Sequence, residues 1–196
     1  MNNSKIANLN SLKFVLIVAI LLFTADLFSQ KLAVKTNIPH LATLTPNVSL
    51  EFGLAEKFTL DMSYGINPFT FEENKKWKHW LVQSELRYWS CEPFYGHFFA
   101  LHAGVGEYNL SRIKIPTVAD SQKFRYEGWA AMGGISYGYS WILGNRWNIE
   151  ATVGVGVVYT DYEKYECPEC GRLLEEENKV FVAPTKAAVS VIYLLK

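Results

Sequence analysis

Two cysteines in a tight turn are the residues whose spacing most directly suggests chemistry in this chain. The segment Cys167-Pro-Glu-Cys170-Gly171 places two thiols close enough to hold one metal ion. A zinc site needs four ligands, however, and no second cysteine pair or nearby histidine follows. The alternative is a small disulfide that closes the loop tip, which suits an exported protein. The sequence therefore favours a Cys167–Cys170 disulfide over a metal site, and it indicates no cofactor.

Histidines and hydroxyls suggest a second chemistry, acyl transfer on lipids. The alternation described below predicts a β-barrel. His40 and His79 fall near the same end of that barrel as Thr43, Thr45 and Ser84. A hydroxyl nucleophile needs a base within hydrogen-bond reach and a third group that orients the base. Spacing fixes no such set, so we assign no catalytic residue and keep an outer-leaflet lipid-modifying enzyme as an alternative function.

Charged side chains on the polar face of alternating segments form the third constellation. They are Lys35, Glu51, Asp61, Glu85, Arg87, Glu107, Glu150 and Lys186. Barrel closure pairs the first strand with the last, and the lumen of a small barrel has room only for side chains. We therefore expect opposite charges to neutralise each other and plug the lumen, in a network of Lys35, Glu51, Glu85, Arg87, Glu150 and Lys186.

Composition excludes several classes of function. The 19 basic side chains equal the 19 acidic ones, so the chain lacks the basic excess that nucleic acid requires. A mean hydropathy of +0.02 is far too low for a bundle of membrane helices. Yet 49% of residues are hydrophobic and 15% are aromatic. This combination is typical of strands that are apolar on one face and polar on the other.

The N-terminus has the pattern of a secretory signal peptide. Two lysines precede an apolar run from Phe14 to Phe23, and small residues follow. We place cleavage after Ser29, with Ala25 as the alternative site. Residues 1–29 are then the signal peptide, and residues 30–196 form one domain.

The elements that must position these side chains are eight alternating segments. The period is two almost throughout the mature chain, as in the run from Trp129 to Trp141; in the last segment Phe181, Ala183 and Thr185 share the apolar face with Val189. Short breaks at 55–57, 91–96 and 143–146 alternate with long ones at 67–78, 110–125 and 161–179, although the turn at 45–47 is short. Short turns at one end and long loops at the other are typical of an outer-membrane barrel.

Aromatic residues bracket the apolar faces of three segments. They form two predicted interfacial girdles, made by Trp80, Tyr88, Trp129, Trp141, Trp147 and Tyr159. A soluble periplasmic barrel that binds a small apolar ligand would bury its apolar face inside, and it remains the other alternative.

Several motifs resemble a known family, domain of unknown function 3575, which occurs in Bacteroidota and is regarded as outer-membrane-barrel-like. The motifs are Lys35-Thr-Asn37, Trp77-Lys-His-Trp80, Glu85-Leu-Arg-Tyr-Trp89, Gly96-His-Phe98, Ile135-Ser-Tyr-Gly-Tyr139, Arg146-Trp-Asn-Ile-Glu150, Glu166-Cys-Pro-Glu-Cys170 and Pro184-Thr-Lys-Ala187. The resemblance spans nearly the whole mature chain. It implies an outer-membrane location and, in some genomes, an association with surface fimbria gene clusters, but no reaction.

The sequence thus predicts an all-β fold, an eight-stranded antiparallel up-and-down transmembrane barrel. We expect it to be non-enzymatic, in the outer membrane, with extracellular long loops and both mature termini in the periplasm. Its expected partners are outer-membrane lipid, the barrel-insertion machinery and surface or fimbrial proteins, and not nucleic acid. The expected role is structural or docking, in fimbria or envelope assembly.

Overall fold

Eight strands and one short helix make up the described part of the chain. The computed structural model describes residues 31–70, 75–112, 124–166 and 171–195. The elements are β1 (Leu32–Asn37), α1 (Ile38–Ala42), β2 (Asn47–Ala55), β3 (Phe58–Asn67), β4 (Lys76–Trp89), β5 (Gly96–Ser111), β6 (Arg125–Ile142), β7 (Trp147–Tyr165) and β8 (Leu173–Leu194). In these residues no helix is long and apolar enough to cross a membrane. The predicted signal peptide lies outside them and stays a prediction.

The strands form a closed antiparallel barrel in which each strand pairs with the next and β8 returns to β1. This confirms the predicted eight-stranded up-and-down architecture. The ladders differ greatly in length. β7 and β8 pair from Trp147↔Tyr193 to Tyr165↔Leu173, whereas β1 and β8 pair only from Ala33↔Leu194 to Asn37↔Ser190. The barrel wall is therefore tall at β7 and β8 and low at β1.

The two ends of the barrel differ in their connections. Residues 56–57, 90–95 and 143–146 connect strands at one end, which we call the short-turn end. Residues 38–46, 68–75, 112–124 and 166–172 connect strands at the other, the long-loop end. Strand β1 begins at the short-turn end and β8 finishes there, because both pair across Ala33↔Leu194.

Alternation along each strand makes the barrel polar inside and apolar outside. Inward side chains such as Glu51, Thr59 and Asp61 are at most 2% exposed. Outward aliphatic side chains away from the strand ends are 61% to 63% exposed, as at Leu101, Ile135 and Val153. Since successive strand residues point to opposite faces, the period-two pattern alone produces this division.

Helix α1 is a feature that the sequence analysis missed, because the alternation of β1 was continued to Ile38. Pro39 occupies the first helical turn, where its fixed φ favours a helix and its missing N–H costs no hydrogen bond. Asn47 holds the two ends of the connection together. Its Oδ1 accepts from the Asn37 amide at 2.7 Å, and its Nδ2 donates to the Asn37 carbonyl at 3.0 Å.

The predicted charged loop at 161–179 is wrong over most of its length. β7 continues to Tyr165 and β8 begins at Leu173, so the two strands pair through this region. Cross-strand contacts stabilise the hairpin: Tyr162 donates to Glu177 at 2.8 Å and Lys164 lies 3.9 Å from Glu175. Because β-propensity depends on such neighbours, composition alone predicted a loop.

A bulge in β8 reverses which residues face outward. Lys186 pairs with Gly154 but Pro184 pairs with Val155, which leaves Thr185 without a partner position. Proline has no N–H to donate to the ladder, and such residues occur at bulges. Val180 and Val182 consequently face outward, and Thr185 faces inward to His102. The prediction that Phe181, Ala183 and Thr185 share the outward face with Val189 is therefore wrong.

Candidate functional site: a buried charge network in the barrel lumen

Three carboxylates lie side by side in the lumen on neighbouring strands. Glu51 on β2 pairs in register with Asp61 on β3, and Asp61 pairs with Glu85 on β4. Like charges directly opposite one another destabilise a sheet, more so away from water. The fold therefore requires cations between these side chains.

Arg87 supplies the central cation. Its Nη1 donates to Glu150 Oε2 at 2.9 Å and to Glu51 Oε2 at 3.0 Å. Its Nε and Nη2 donate to Glu85 Oε2 at 2.8 Å and 2.6 Å, and Nη2 lies 3.5 Å from Asp61 Oδ2. Because a guanidinium is planar with five donors, a single side chain can bridge all four carboxylates.

Two lysines complete the network. Lys35 Nζ lies 3.1 Å from Asp61 Oδ2 and 3.2 Å from Glu150 Oε2, and it also contacts Glu51. Lys186 Nζ donates to Glu85 Oε2 at 2.6 Å. The structure thus brings together all six residues predicted for the network and adds Asp61. Three cations face four carboxylates, which leaves a formal excess of one negative charge.

Each carboxylate also accepts a hydrogen bond from one hydroxyl. Ser49 donates to Asp61 at 2.7 Å and Thr152 donates to Glu150 at 3.1 Å. Thr59 donates to Glu51 and Ser136 donates to Glu85. Buried charges are stable only when they are paired and hydrogen-bonded in this way. The inward Ser and Thr residues therefore belong to the same site.

An aromatic plug closes the lumen below the network at the short-turn end. Trp89 and Phe98 are fully buried and their rings lie 4.7 Å apart, and the Arg87 guanidinium lies 4.5 Å from the Phe98 ring centre. Phe94 enters from the β4–β5 turn with a φ of 69°. Its carbonyl accepts from Ser140 at 2.9 Å and from Asn148 at 2.6 Å, which holds this left-handed backbone. The sequence analysis missed the plug, although Trp89 follows the inward parity of Glu85 and Arg87.

A small polar cavity lies above the network toward the long-loop end. Its volume is about 100 Å³, and its lining includes His40, His79, Asp61, Lys35 and Lys186. Burial, with nearby His79 and Lys186, lowers the pKa of the His40 imidazole, which favours its neutral form. A space of this size holds a few water molecules. The lumen is therefore filled along the network itself.

The predicted histidine–hydroxyl pairs do not form in the described part of the chain. No hydrogen bond joins the imidazole ring of His40 or His79 to Thr43, Thr45 or Ser84 there. The Thr43 hydroxyl donates at 2.9 Å to the backbone carbonyl of His40, and His79 Nδ1 lies 3.1 Å from the Trp77 carbonyl oxygen. His102 Nε2 does lie 2.7 Å from the Thr185 hydroxyl. Its Nδ1 has no hydrogen-bond partner among the described residues, so the orienting third group that such a pair needs is not present there.

Several other predicted site residues lie apart from the network. Glu107 was predicted on the polar face, but it faces outward and is exposed, and it accepts a hydrogen bond from Trp80 Nε1 at 3.0 Å. The prediction is wrong because Glu107 lies two residues after outward Val105 and therefore points to the same face. Cys167 and Cys170 lie outside the described residues, so their disulfide stays a prediction. Among the described residues no group of His, Cys, Asp or Glu could hold a metal ion.

The predicted girdle residues lie on the outer surface in two sets. Trp80, Trp129 and Tyr159 lie toward the long-loop end, and the Trp129 and Tyr159 rings are 5.4 Å apart. Tyr88, Trp141 and Trp147 lie toward the short-turn end, and the ring centres of Trp147 and Tyr193 are 4.8 Å apart. We call these the upper and lower aromatic sets.

Fold and site together define a small antiparallel β-barrel with an ion-paired, filled lumen. Comparison with family models matches residues 13–195 to the family described as Protein of unknown function (DUF3575), and the chain belongs to that family. Neither the curated proteins nor the solved structures contain a match to this chain.

Proposed function

We propose that this chain is a non-enzymatic outer-membrane β-barrel with a structural or docking role at the cell surface. The observation that carries the proposal is the inverted polarity of the barrel, with ion pairs inside and aliphatic side chains outside. Soluble monomers rarely expose contiguous apolar patches beyond a few hundred Å². A lipid environment, in contrast, requires an apolar outer wall and strands that close into a ring.

The separation of the aromatic sets supports the same location. Trp129 and Trp141 enclose twelve residue steps of β6, and Trp147 and Tyr159 enclose twelve of β7. Twelve steps span about 40 Å of strand, which a tilt of about 40° reduces to a height of about 30 Å. This height suits the hydrocarbon core of a bilayer.

Orientation and role follow from the connections and the filled lumen. Barrels of this kind have short periplasmic turns, so the long loops face outside and the mature termini face the periplasm. Because the network fills the lumen, the barrel acts through its surface and not as a pore. Its partners are then outer-membrane lipid, the barrel-insertion machinery and surface or fimbrial proteins.

Two arginine substitutions test the membrane location. Val153 is 63% exposed on β7, midway between Trp147 and Tyr159, and Leu143 is 66% exposed in a short turn. In a soluble protein both substitutions would be nearly neutral. In a membrane, Val153→Arg costs about 2–4 kcal/mol and lowers the yield of the heat-modifiable, membrane-fractionated barrel, while Leu143→Arg leaves the yield unchanged.

The outcomes of this experiment are distinct. Equal assembly of both variants, or wild-type protein that stays soluble without detergent, contradicts the membrane location. Cross-linking in intact cells then separates the two roles: capture of fimbrial or other surface proteins supports docking, and recovery of lipid alone supports an envelope role.

A further inference from the structure

Strand β8 has a long edge that no described strand covers. On the side away from β7, β8 pairs with β1 only from Ser190 to Leu194, although it pairs with β7 as far as Leu173. Side chains on β8 are more exposed than those on β7 because β8 lacks a strand on one side here. Val182 is 72% exposed, whereas Val157, which pairs with it on β7, is 49% exposed. The bare edge is a consequence of the low barrel wall at β1.

The outer part of this edge lies beyond the upper aromatic set. Val180 pairs with Tyr159 of that set, so Leu173–Lys179 lies further out; we call this segment the free β8 edge. Its seven residues span about 23 Å. In an antiparallel ladder every second residue directs its N–H and C=O away from the partner. Such an edge is a template on which another extended chain can pair.

A row of carboxylates lies beside the free β8 edge. Glu127 on β6 pairs in register with Glu163 on β7, and Glu163 pairs with Glu176 on β8. All three line a cavity of about 590 Å³ at the mouth of the barrel. Glu127 contacts Arg125 at 3.0 Å and Glu163 accepts from Tyr165. Glu176, at the outer end of the row, has no ion-pair or hydrogen-bond partner among the described residues.

We propose that the free β8 edge binds an extended, basic segment of another protein, which adds as a further strand and places Lys or Arg beside Glu176. This inference rests on the surface orientation proposed above and names the docking surface. A strand added to β8 continues the row across one more strand, at a spacing of about 5 Å. A cation at that position relieves the repulsion within the row.

A second copy of this chain does not fit the same edge. Two identical edges would bring Glu175, Glu176 and Glu177 of each copy together, and like charges across strands destabilise pairing. Two barrels inserted in one membrane in the same orientation are related by a twofold axis along the membrane normal. Strands tilted by about 40° to that axis cross at a large angle and do not pair.

Synthetic peptides on the full-length, lipid-embedded barrel test the proposal. The probes are a ten-residue peptide of alternating Lys and Val, the same peptide with N-methylated backbone amides, and one of alternating Glu and Val. We expect the Lys–Val peptide to bind and to slow amide hydrogen exchange in Leu173–Lys179. The N-methylated peptide should bind at least tenfold more weakly, and the Glu–Val peptide should not bind.

Two isosteric variants locate the contact. Glu176→Gln should weaken binding of the Lys–Val peptide at least fivefold, and the control Glu56→Gln, at the short-turn end, should leave it unchanged. Equal binding of the methylated and unmethylated peptides, or protection elsewhere than the free β8 edge, overturns the proposal. Assembly of Val153→Arg reports separately on membrane location, so a membrane barrel that ignores the peptide refutes only the docking site.

Discussion

Loss of the Arg87 guanidinium should be the most destabilising single change in the lumen. We consider Arg87→Met, which keeps much of the side-chain length and removes the charge. The two lysines then face four carboxylates, and the formal excess of negative charge rises from one to two. Lys186 contacts Glu85 and Lys35 contacts the other three carboxylates, so neither lysine can replace Arg87 without leaving its own partner.

The expected cost follows from burial. Arg87 is 1% exposed, as is Glu85, and Glu51 is completely buried. Removal of one partner from a buried ion pair costs about 3–5 kcal/mol, because it leaves an uncompensated charge away from water. The exposed pair Lys31–Glu92, at 3.7 Å, is a matched control. Lys31→Met should cost no more than about 1 kcal/mol.

Denaturant unfolding in detergent micelles or lipid vesicles measures both changes in free energy. Trp89 is a suitable reporter because it is buried beside the network and donates to Thr59 at 2.8 Å. A double variant, Arg87→Met with Glu85→Gln, should recover part of the loss because it removes one unpaired carboxylate. If Arg87→Met costs no more than Lys31→Met, the network does not stabilise the barrel and our reasoning is wrong.

Three further predictions concern packing, thiols and conduction. A Cβ at Gly134 would lie 2.2 Å from the Val155 carbonyl oxygen, whereas a Cβ at neighbouring Gly133 would meet no atom nearer than 3.8 Å. In the same unfolding assay Gly134→Ala should therefore lower the free energy of unfolding by about 1–3 kcal/mol, and Gly133→Ala should leave it almost unchanged. Maleimide labelling followed by mass spectrometry should modify one thiol, the exposed Cys91, before reduction and all three afterwards, whereas stoichiometric bound zinc would refute the disulfide. Planar-bilayer recordings should detect no steady ion current, and a steady current would contradict the filled lumen.

The fold was largely predictable because a single physical signal, period-two alternation, determines it. Strand parity predicts that Lys35 and Lys186 face the lumen, and barrel closure predicts that their strands are adjacent. In the structure both lysines contact members of one group of carboxylates. The same parity includes Asp61, whose position between Glu51 and Glu85 depends on register. Register depends on turn geometry and shear, which a list of alternating residues does not contain.

The features that sequence analysis missed are those in which one residue interrupts the alternation of inward and outward side chains. Pro184 and the unpaired Thr185 reverse the parity of one end of β8, and Pro39 begins a helix where alternation predicted strand. Phe94 fills the barrel end from a turn, where side-chain direction has no period. In each case the departure depends on a backbone that must bend locally, and composition does not reveal such bends.

Two rows of in-register carboxylates, one in the lumen and one at the mouth, show what the docking proposal requires. In the lumen, the row Glu51, Asp61 and Glu85 is stable because Arg87 and Lys35 lie between its members. At the mouth, the corresponding row ends at Glu176, on the free β8 edge, which no strand in the described part of the chain covers. A cation within a few ångströms relieves the repulsion along such a row. At the mouth, the place for a cation beside Glu176 lies across the free β8 edge. A basic segment of another chain bound there can supply both the positive charge and the missing backbone partners.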